Sequence, residues 1–406
     1  MPSMLPARVL PLFDACRSAG GRALLVGGTV RDALLGRPGK DLDVEVHGIG
    51  FDELLAVLQR FGRVDEVGRS FHVLKLKVKG VDLDVSVPRR DRKAGAGHRG
   101  IAAEADPFLG VLEAARRRDL TINAIAYDPL MEVYEDPFGG RSDLDARLLR
   151  AVDADTFGED PLRALRVAQF AGRFGFDVDP ALFHLAASMP LAELPAERIR
   201  GEIEKLFLKA PWPNVGWNFA YKAGLWAQVL PEWHHSASEL DRLGADAPAE
   251  PGRRLALMYS GACRQRHAAE AVLDRLRVFR HLGYDVRKQV FFLLDAVEPS
   301  GGVADAFAFS ETRCRRLAEQ GELELLSLYL DAPELRLRAI QLGVLTRPLP
   351  PLLIGRDLLK LGFKEGPELG RMLARLREAQ LDGLVMTADE ARRWLFEGAS
   401  NATTSS

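Results

Sequence analysis

Alternating and helical hydrophobic patterns run through the first 90 residues of the chain. Apolar positions at helical spacing predict helices over residues 9–19 and 51–61, the second of which Gly62 ends. Strict alternation predicts three strands, at DLDVEV (41–46), SFHVLKLKVKG (70–80) and VDLDVSV (81–87). The N-terminal part of the chain is therefore expected to mix strands with helices.

The pattern becomes helical after residue 157. Pro161, preceded by the acidic Glu159 and Asp160, predicts the start of a helix. Helical spacing continues over 210–340, and a turn at Gly366 and Pro367 opens a later helix. Residues 89–105 (RRDRKAGAGHRGIAAEA) follow neither period, and their glycines and basic residues predict a mobile, solvated loop.

Composition and charge narrow the class of protein. The 406 residues are 47% hydrophobic and 28% charged, with a net charge of −2. This is an ordinary soluble composition for about two to four domains. There is no apolar run of ~18 residues, so no membrane span is expected, and the N-terminus lacks a secretion-signal pattern. Three scattered cysteines fit reduced thiols and a cytoplasmic location. Because the chain is not broadly basic, nucleic acid would have to bind to local patches.

The segment LLVGGTVRDALLGRPGKDLDVE (24–45) concentrates the candidate chemistry. Gly27 and Gly28 let the backbone approach a phosphate at a helix start, and Arg31 adds a guanidinium that fits phosphate oxygens. Asp41 and Asp43 project from one strand face, as a divalent-metal site for phosphoryl transfer requires. Taken singly, the glycines are explained as well by a tight turn and the aspartates by a solvated acidic pair. Neither a Walker A loop nor a GxGxxG motif is present in this segment.

Together with later motifs, this segment resembles the class II tRNA nucleotidyltransferases and bacterial poly(A) polymerases. The resemblance is strongest over residues 24–208 and is carried by GG-x-VRD-x-LLG with K-DLD, by RRDLTINA (117–124) and by EDPLRALR (159–166). It implies an α+β fold, with a polymerase-β-type nucleotidyltransferase head containing a small mixed β-sheet, then an all-α neck, body and tail. The implied divisions are a head at 1–152, a base-recognising neck at 153–225, a body at 226–345, a tRNA-binding tail at 346–400 and a disordered end at 401–406.

The resemblance assigns two residues of RRDLTINA to nucleotide binding. Arg118 would bind phosphate, and Asp119 would accept hydrogen bonds from the ribose hydroxyls, which selects ribonucleotides. The alternative is a charged helix start that Asp119 caps.

In EDPLRALR, the resemblance makes Asp160 and Arg163 an amino-acid template for the incoming base, with Arg166 on the same arc of the helix. A carboxylate accepts the exocyclic N–H of C or A, and a guanidinium donates to cytosine N3 or adenine N1, whereas U and G offer the reverse pattern. The alternative is a salt bridge on a solvated helix. Gln169 stands where many relatives carry arginine, so one phosphate or base contact is expected to differ.

Asp84 lies on the strand next to the two aspartates, where the resembling family has an acidic residue. It would complete the metal shell or take the proton of the attacking hydroxyl. The equally supported alternative is an exposed edge-strand residue. Asp82 shares its face without an assigned role.

The remaining motifs concern the helical part of the chain. Arg371, Arg375 and Arg377 are candidate contacts to the tRNA backbone. Glu197 and Arg198 are expected to pair with each other as supports of the neck. The chain contains no HD dipeptide, so the phosphohydrolase activity of some relatives is not expected, and the His234–His235 pair is interpreted as surface loop.

The resemblance implies an enzyme that adds CCA to the tRNA 3′ end from CTP and ATP, without a nucleic-acid template, and releases pyrophosphate. Asp41 and Asp43 would hold Mg²⁺, and no protein partner is implied. The alternatives are A-only or CC-only addition, poly(A) polymerisation, and a non-catalytic RNA-binding relative. Ser70 argues against the polymerase because that group carries a second basic residue there, and retention of the motifs argues against a non-catalytic relative.

Overall fold

The computed structural model describes residues 5–37, 39, 41–67, 73–93, 101–233, 238–297 and 309–402. The chain divides into two compact units, Met1–Ser236 and Ala237–Ser406. The four-part division of the chain stays a prediction. Ser70, His234 and His235 lie outside the described residues, and so do residues 403–406 of the expected disordered end.

Within its described residues, the first unit contains one large sheet and two short strand pairs. Its strands are β1 (Arg22–Val26), β2 (Asp41–His47), β3 (Val64–Val67), β4 (Val73–Val78), β5 (Val81–Ser86), β6 (Arg89–Lys93), β7 (Ile101–Ala105), β8 (Ala126–Asp128), β9 (Val133–Glu135), β10 (Leu148–Leu149) and β11 (Asp177–Val178). The seven-stranded sheet has the order β3-β4-β5-β2-β1-β8-β9. Only the β2–β5 pair within it is parallel, so the predicted mixed sheet is confirmed.

Helices account for the rest of the regular structure in this unit. They are α1 (Leu10–Ser18), α2 (Gly28–Leu34), α3 (Phe51–Gln59), α4 (Val111–Arg116), α5 (Gly140–Asp145), α6 (Ala154–Phe157), α7 (Leu162–Phe174), α8 (Pro180–Ala187), α9 (Ala196–Lys209), α10 (Pro213–Lys222) and α11 (Leu225–Val229). The helices predicted at 9–19, at 51–61 and after Pro161 are confirmed within two residues at each end.

Strand alternation decides which side chains enter the core of the sheet. Val81, Leu83 and Val85 of β5 are buried, whereas Asp82 and Asp84 between them lie on the opposite face. Leu42 and Val44 of β2 are buried in the same way. The acidic residues of both strands are thereby directed to one polar face.

Residues 89–105 correct one expectation. The segment predicted as a loop contains β6 and β7, which pair antiparallel from Arg89 opposite Ala105 to Lys93 opposite Ile101. Hairpin pairing satisfies backbone N–H and C=O groups without requiring an alternating apolar face, so hydrophobic periodicity gives no signal for it. Residues 94–100 lie outside the described part of the chain.

The helix α7 packs closely on α9 and α10. A Cβ at Gly216 would lie 2.0 Å from the carbonyl oxygen of Ala168, and a Cβ at Gly172 would lie 2.6 Å from Leu206 Cδ1. These two glycines therefore allow a helix approach that any side chain would block. The result fixes the orientation of α7, which carries the predicted base-reading residues.

Within its described residues, the second unit is helical apart from one small hairpin. Its helices are α12 (Leu240–Asp246), α13 (Pro251–Cys263), α14 (Arg266–Arg275), α15 (Val286–Asp295), α16 (Glu311–Gln320), α17 (Leu323–Leu330), α18 (Pro333–Gln341), α19 (Gly355–Lys360), α20 (Pro367–Leu381) and α21 (Ala388–Ala402), and its hairpin is β12 (Arg280–His281) with β13 (Tyr284–Asp285). The α+β fold class is confirmed, with this hairpin and the β10–β11 pair as minor departures from an all-α remainder.

None of the described helices combines the length and the apolar character needed to cross a membrane. Cys16, Cys263 and Cys314 are buried and form no disulfide with one another. Burial raises the pKa of Cys16 to about 11, which keeps this thiol protonated and unreactive at neutral pH.

Candidate active site

A glycine turn joins β1 to α2. Gly27 has φ +63° and ψ −130°, a backbone conformation that residues with a Cβ rarely adopt. A Cβ at Gly27 would lie 2.7 Å from Arg118 Nη1, and a Cβ at Gly28 would lie 3.4 Å from Arg31 Nη2. Both glycines therefore keep the space between this turn and two guanidinium groups open.

Asp41 and Asp43 lie on the exposed face of β2, as predicted from the strand period. The backbone N–H of Asp43 donates to Thr29 Oγ1 over 2.8 Å, which ties this strand to α2. Burial of its carboxyl group raises the pKa of Asp43, and Arg118 works in the opposite direction. A nearby cation would favour the charged carboxylate, so the electrostatics of Asp43 fit a metal ligand.

Asp84 stands directly opposite Asp43 in the parallel β2–β5 pair. Both of its carboxylate oxygens accept hydrogen bonds from Lys75 Nζ, at 2.9 Å each. Within the described part of the chain, no three His, Cys, Asp or Glu side chains are placed to hold one metal ion. Asp84 therefore lies beside the aspartate pair without joining it in this arrangement.

Arg31 is more enclosed than a simple phosphate-binding residue. It is 4% exposed, its Nε donates to Asp32 over 2.8 Å, and Nη1 donates to Asn123. Its guanidinium carbon lies 4.9 Å from the centre of the Phe174 ring and 5.2 Å from that of Phe170. Arg31 thus packs α2 against α7 while one edge lines the cleft, and its phosphate contact stays a prediction.

Glu45 is a buried residue of this site that sequence reasoning missed. It continues the face of Asp41 and Asp43 along β2, is 3% exposed, and accepts a hydrogen bond from Arg117 Nη2 over 2.7 Å. Burial alone would raise the pKa of Glu45, but His47, Arg118 and Arg117 lower it to about 2. The sequence could have identified Glu45 because it lies two residues after Asp43 and so shares its strand face. In the structure Glu45 holds Arg117 and Arg118.

Asp119 is buried and accepts three hydrogen bonds from protein groups. Its Oδ2 accepts from Arg166 Nε over 2.7 Å, and its Oδ1 accepts from Asn123 Nδ2 over 2.8 Å and from the Leu120 N–H over 2.9 Å. Burial would raise the pKa of Asp119, but Arg166 and Asn123 hold it below its usual value. The contact between Asp119 and the ribose stays a prediction. Arg166 is placed to orient the Asp119 carboxylate.

The helix start around Asp160 differs from the simple salt bridge weighed above. Asp160 Oδ1 accepts from the Leu162 N–H over 3.1 Å, while Oδ2 accepts from Arg198 Nη2 over 2.8 Å. Arg163 donates to the backbone carbonyls of Arg117 and Thr156. Arg198 therefore holds the carboxylate of the predicted base reader Asp160, a contact that was not predicted, and its pairing with Glu197 stays a prediction.

These elements surround one cleft of about 940 Å³ within the first unit. Ten basic and four acidic side chains line it, so its charge suits an anionic ligand. The sequence analysis did not assign six of the ten basic side chains to nucleotide binding: Arg89, Arg117, Arg173, Arg198, Lys205 and Lys209. The last three recur at helical spacing on α9, which was a usable signal.

Gln169 also lines this cleft and is 4% exposed. An amide here is neutral where arginine would add a further charge. The expectation of an altered contact at this position stays a prediction.

The predicted tRNA-binding arginines lie on α20 in the second unit. Arg371 is 69% exposed and pairs with Glu368, whereas the Arg375 guanidinium carbon lies 5.7 Å from the Trp394 ring centre. Arg377 is 21% exposed and donates to Glu319 and to the Leu349 carbonyl. Their contact with tRNA stays a prediction, and Arg377 has a packing role as well.

A mixed sheet with a glycine turn and paired aspartates, joined to a cationic cleft, defines a nucleotidyltransferase-type head. Residues 23–150 match the family model described as the poly A polymerase head domain. The resemblance to class II tRNA nucleotidyltransferases and bacterial poly(A) polymerases is thereby confirmed.

Two curated relatives each match about half of the chain. The chain is 41% identical over 225 residues to the CCA-adding enzyme of Pseudomonas putida strain F1, across 54% of this chain and 58% of that protein. It is 42% identical over 214 residues to the multifunctional CCA protein of Pseudomonas aeruginosa strain LESB58, across 51% of this chain and 50% of that protein. The matched part thus spans little more than half the length of these relatives.

Solved structures share the whole fold. A Bacillus stearothermophilus CCA-adding enzyme in complex with CTP covers 100% of both chains, with a TM-score of 0.74 and 23% identity. A Thermotoga maritima CCA-adding enzyme complexed with tRNA covers 98% of this chain and 97% of that chain, with a TM-score of 0.69 and 19% identity. At these identities the likeness establishes the fold.

Proposed function

We propose that this chain is a tRNA nucleotidyltransferase that adds C and A to the tRNA 3′ end from CTP and ATP, without a nucleic-acid template. The observation that carries the proposal is the single cleft lined by Gly27, Gly28 and Asp43 on one side and by Asp160 and Arg163 on the other. The first group suits a triphosphate and the second suits a base edge. The names of the curated relatives support CCA addition, and a tRNA substrate fits the expected cytoplasmic location.

Asp41 and Asp43 would hold a divalent metal, for which Mg²⁺ with its preference for oxygen ligands is our proposal. When bound, the metal supplies positive charge to the reacting phosphate and to the departing pyrophosphate. The raised pKa of Asp43 fits this role because a cation would favour its charged form.

The triphosphate would lie at the start of α2, where Gly27 and Gly28 permit close approach. Arg118 lies against this turn, and its burial together with the neighbouring Arg117 lowers the pKa of its guanidinium. A desolvated guanidinium binds a phosphate more strongly than a solvated one because less water competes. Glu45 fixes the neighbouring Arg117 and so limits how far this basic pair moves.

The nucleoside would be held by residues from both sides of the cleft. Asp119, oriented by Arg166, would accept the ribose hydroxyls. Asp160 and Arg163 would read the Watson–Crick edge, and their bonds to Arg198 and to backbone carbonyls fix them before the nucleotide arrives. A reader fixed in this way penalises U and G because neither can pair with it.

The reaction would join the tRNA 3′-oxygen to the α-phosphorus of the nucleotide. The bond from that phosphorus to the bridging oxygen breaks, and pyrophosphate leaves with the electron pair. Arg371, Arg375 and Arg377 would contact the tRNA backbone.

The test uses purified full-length protein, Mg²⁺ and labelled CTP or ATP. Three tRNAs are compared: one that lacks the whole CCA end, one that lacks only the terminal A, and one that is complete. We expect C and A incorporation into the first, A alone into the second and none into the third. Incorporation of A alone, or of CC alone, would assign the narrower activity, and a long A tract would assign the polymerase.

A further inference from the structure

Lys75 binds the carboxylate next to the proposed metal site. It lies on β4 directly opposite Asp84 of β5, and its Nζ is 2.9 Å from each Asp84 oxygen. The pKa of Lys75 is raised first by Asp84 and then, more weakly, by Asp41 and Asp43, against a small opposing effect of burial. One ammonium group thus binds Asp84 next to the Asp41–Asp43 pair.

The strand register brings the Lys75–Asp84 contact next to Asp43, a proposed metal ligand. Asp84 is opposite Asp43, and Asp43 is the aspartate of the pair that lines the cleft. A third carboxylate at this place could strengthen a divalent-metal site because affinity rises with the number of charged oxygen ligands. With both oxygens bound to Lys75, Asp84 is held by a cation that belongs to the chain itself.

We propose that Lys75 is a positioning residue that holds Asp84 out of the shell of a metal at Asp41 and Asp43 and thereby weakens metal binding in the absence of nucleotide. This inference rests on the metal site of the proposed function. An ammonium and a divalent ion compete for the same two oxygens, so Asp84 can join the metal only when Lys75 leaves it. Metal affinity is therefore tuned by a residue that touches no metal.

The neighbouring pair supplies a matched control. Lys77 is opposite Asp82 on the same strands, and its Nζ is 3.1 Å from Asp82 Oδ1. It carries the same charge one step along the face, but Asp82 is opposite Asp41, which does not line the cleft. Both lysines are at least half exposed, so their replacement is expected to leave the fold intact.

The experiment measures Mn²⁺ binding to the nucleotide-free, full-length protein from the loss of the free-ion paramagnetic resonance signal. Lys75→Met should tighten the dissociation constant by about tenfold, the scale on which groups around ligands tune metal affinity. Lys77→Met should change it by about twofold or less because its partner Asp82 is not the carboxylate opposite the cleft-lining Asp43. Lys75→Arg should retain wild-type affinity, since it replaces one cation by another.

A second background separates competition for Asp84 from a general charge effect. In Asp84→Asn protein, Lys75→Met should change Mn²⁺ affinity by no more than Lys77→Met does. Equal effects of the two lysine substitutions in the wild-type background, or an undiminished Lys75→Met effect in Asp84→Asn, would overturn the inference.

The metal site itself is checked independently with Asp43→Asn alone. Loss of Mn²⁺ binding in that variant supports the site on which the inference rests. Unchanged binding would overturn the proposed metal site, and this result requires no lysine variant, so the two failures are distinguishable.

Discussion

Two arginine–carboxylate pairs of similar geometry show how differently the same chemistry is used in the two units. Arg166 lies 2.7 Å from Asp119 in the cleft, and Arg371 lies 2.5 Å from Glu368 on α20. The side chains of the first pair are 33% and 7% exposed, whereas those of the second are 69% and 67% exposed. Distance alone does not distinguish them, and burial does.

Burial changes what each pair contributes. The Asp119 carboxylate would cost several kcal/mol to bury alone, so its bonds to Arg166 and Asn123 are required for folding as well as for orientation. The Arg371–Glu368 pair is solvated and contributes about 1 kcal/mol or less. Arg371 can therefore exchange Glu368 for a phosphate at little cost. If Arg166 left Asp119, the Asp119 carboxylate would stay buried without a counter-charge.

The comparison assumes that nucleotide transfer takes place in the cleft. Asp43→Ala tests this assumption and has the largest expected effect. Loss of a metal ligand should lower nucleotide incorporation by about a thousandfold or more while folding and tRNA binding persist. Incorporation kinetics and circular dichroism measure the two properties. Asp82→Ala on the adjacent strand is the control and should retain most activity. Comparable losses in both variants would contradict a specific metal site at Asp43.

Arg163→Ala tests whether α7 reads the base. The variant should lose about one to several kcal/mol of transition-state stabilisation with CTP and ATP, and discrimination against UTP and GTP should shrink. The measurement is kcat/KM for all four nucleotides. Arg173→Ala is a control on the same helix, where Arg173 pairs with Asp32 over 3.0 Å, and it should leave the ratios among nucleotides unchanged. Unchanged ratios in Arg163→Ala would mean that this residue has no role in base choice.

Asp119→Asn tests the difference in burial between the two pairs. At neutral pH it should destabilise the protein by about 2 kcal/mol or more because Arg166 is left without its counter-charge. The pKa of Asp119 in the folded protein lies below its ordinary value of 3.8, so its stabilisation is present above that pH and is lost as the pH falls below it. The difference between wild-type and variant unfolding temperatures should therefore shrink as the pH is lowered from 7 to 3.

Glu368→Gln is the matched control for this pH series. Its pair is exposed, so little destabilisation is expected at any pH. If the two substitutions destabilised the protein equally, the inference drawn from burial would be wrong.

Arg371→Glu should have the smallest effect. Removal of one phosphate contact should weaken tRNA affinity by about threefold at moderate salt and reduce the salt dependence, with the CTP-to-ATP preference unchanged. Fluorescence titration with labelled tRNA at several salt concentrations measures both. Arg392→Glu, on α21, is the control because Arg392 also forms an exposed pair, with Asp389. A change in nucleotide preference in Arg371→Glu would show that this arginine does more than bind the tRNA backbone.

Local sequence determined the parts of the site that depend on backbone geometry. The period of two placed Asp41 and Asp43 on one face, and the glycines marked the turn before α2. Pro161 after acidic residues marked the start of α7 within one residue. These features follow from steric rules that act over a few residues, so they are readable without knowledge of the fold.

Tertiary structure decided which of these groups meet and what each then does. Asp119 and Arg166 are 47 positions apart, and Asp160 and Arg198 are 38 apart, so no local period pairs them. Strand register alone placed Lys75 on Asp84, and the close packing allowed by Gly172 and Gly216 turned α7 toward the cleft. Burial, which changes an ion pair from a solvated contact into a fixed one, is a property of the assembled fold because it depends on atoms distant in the chain.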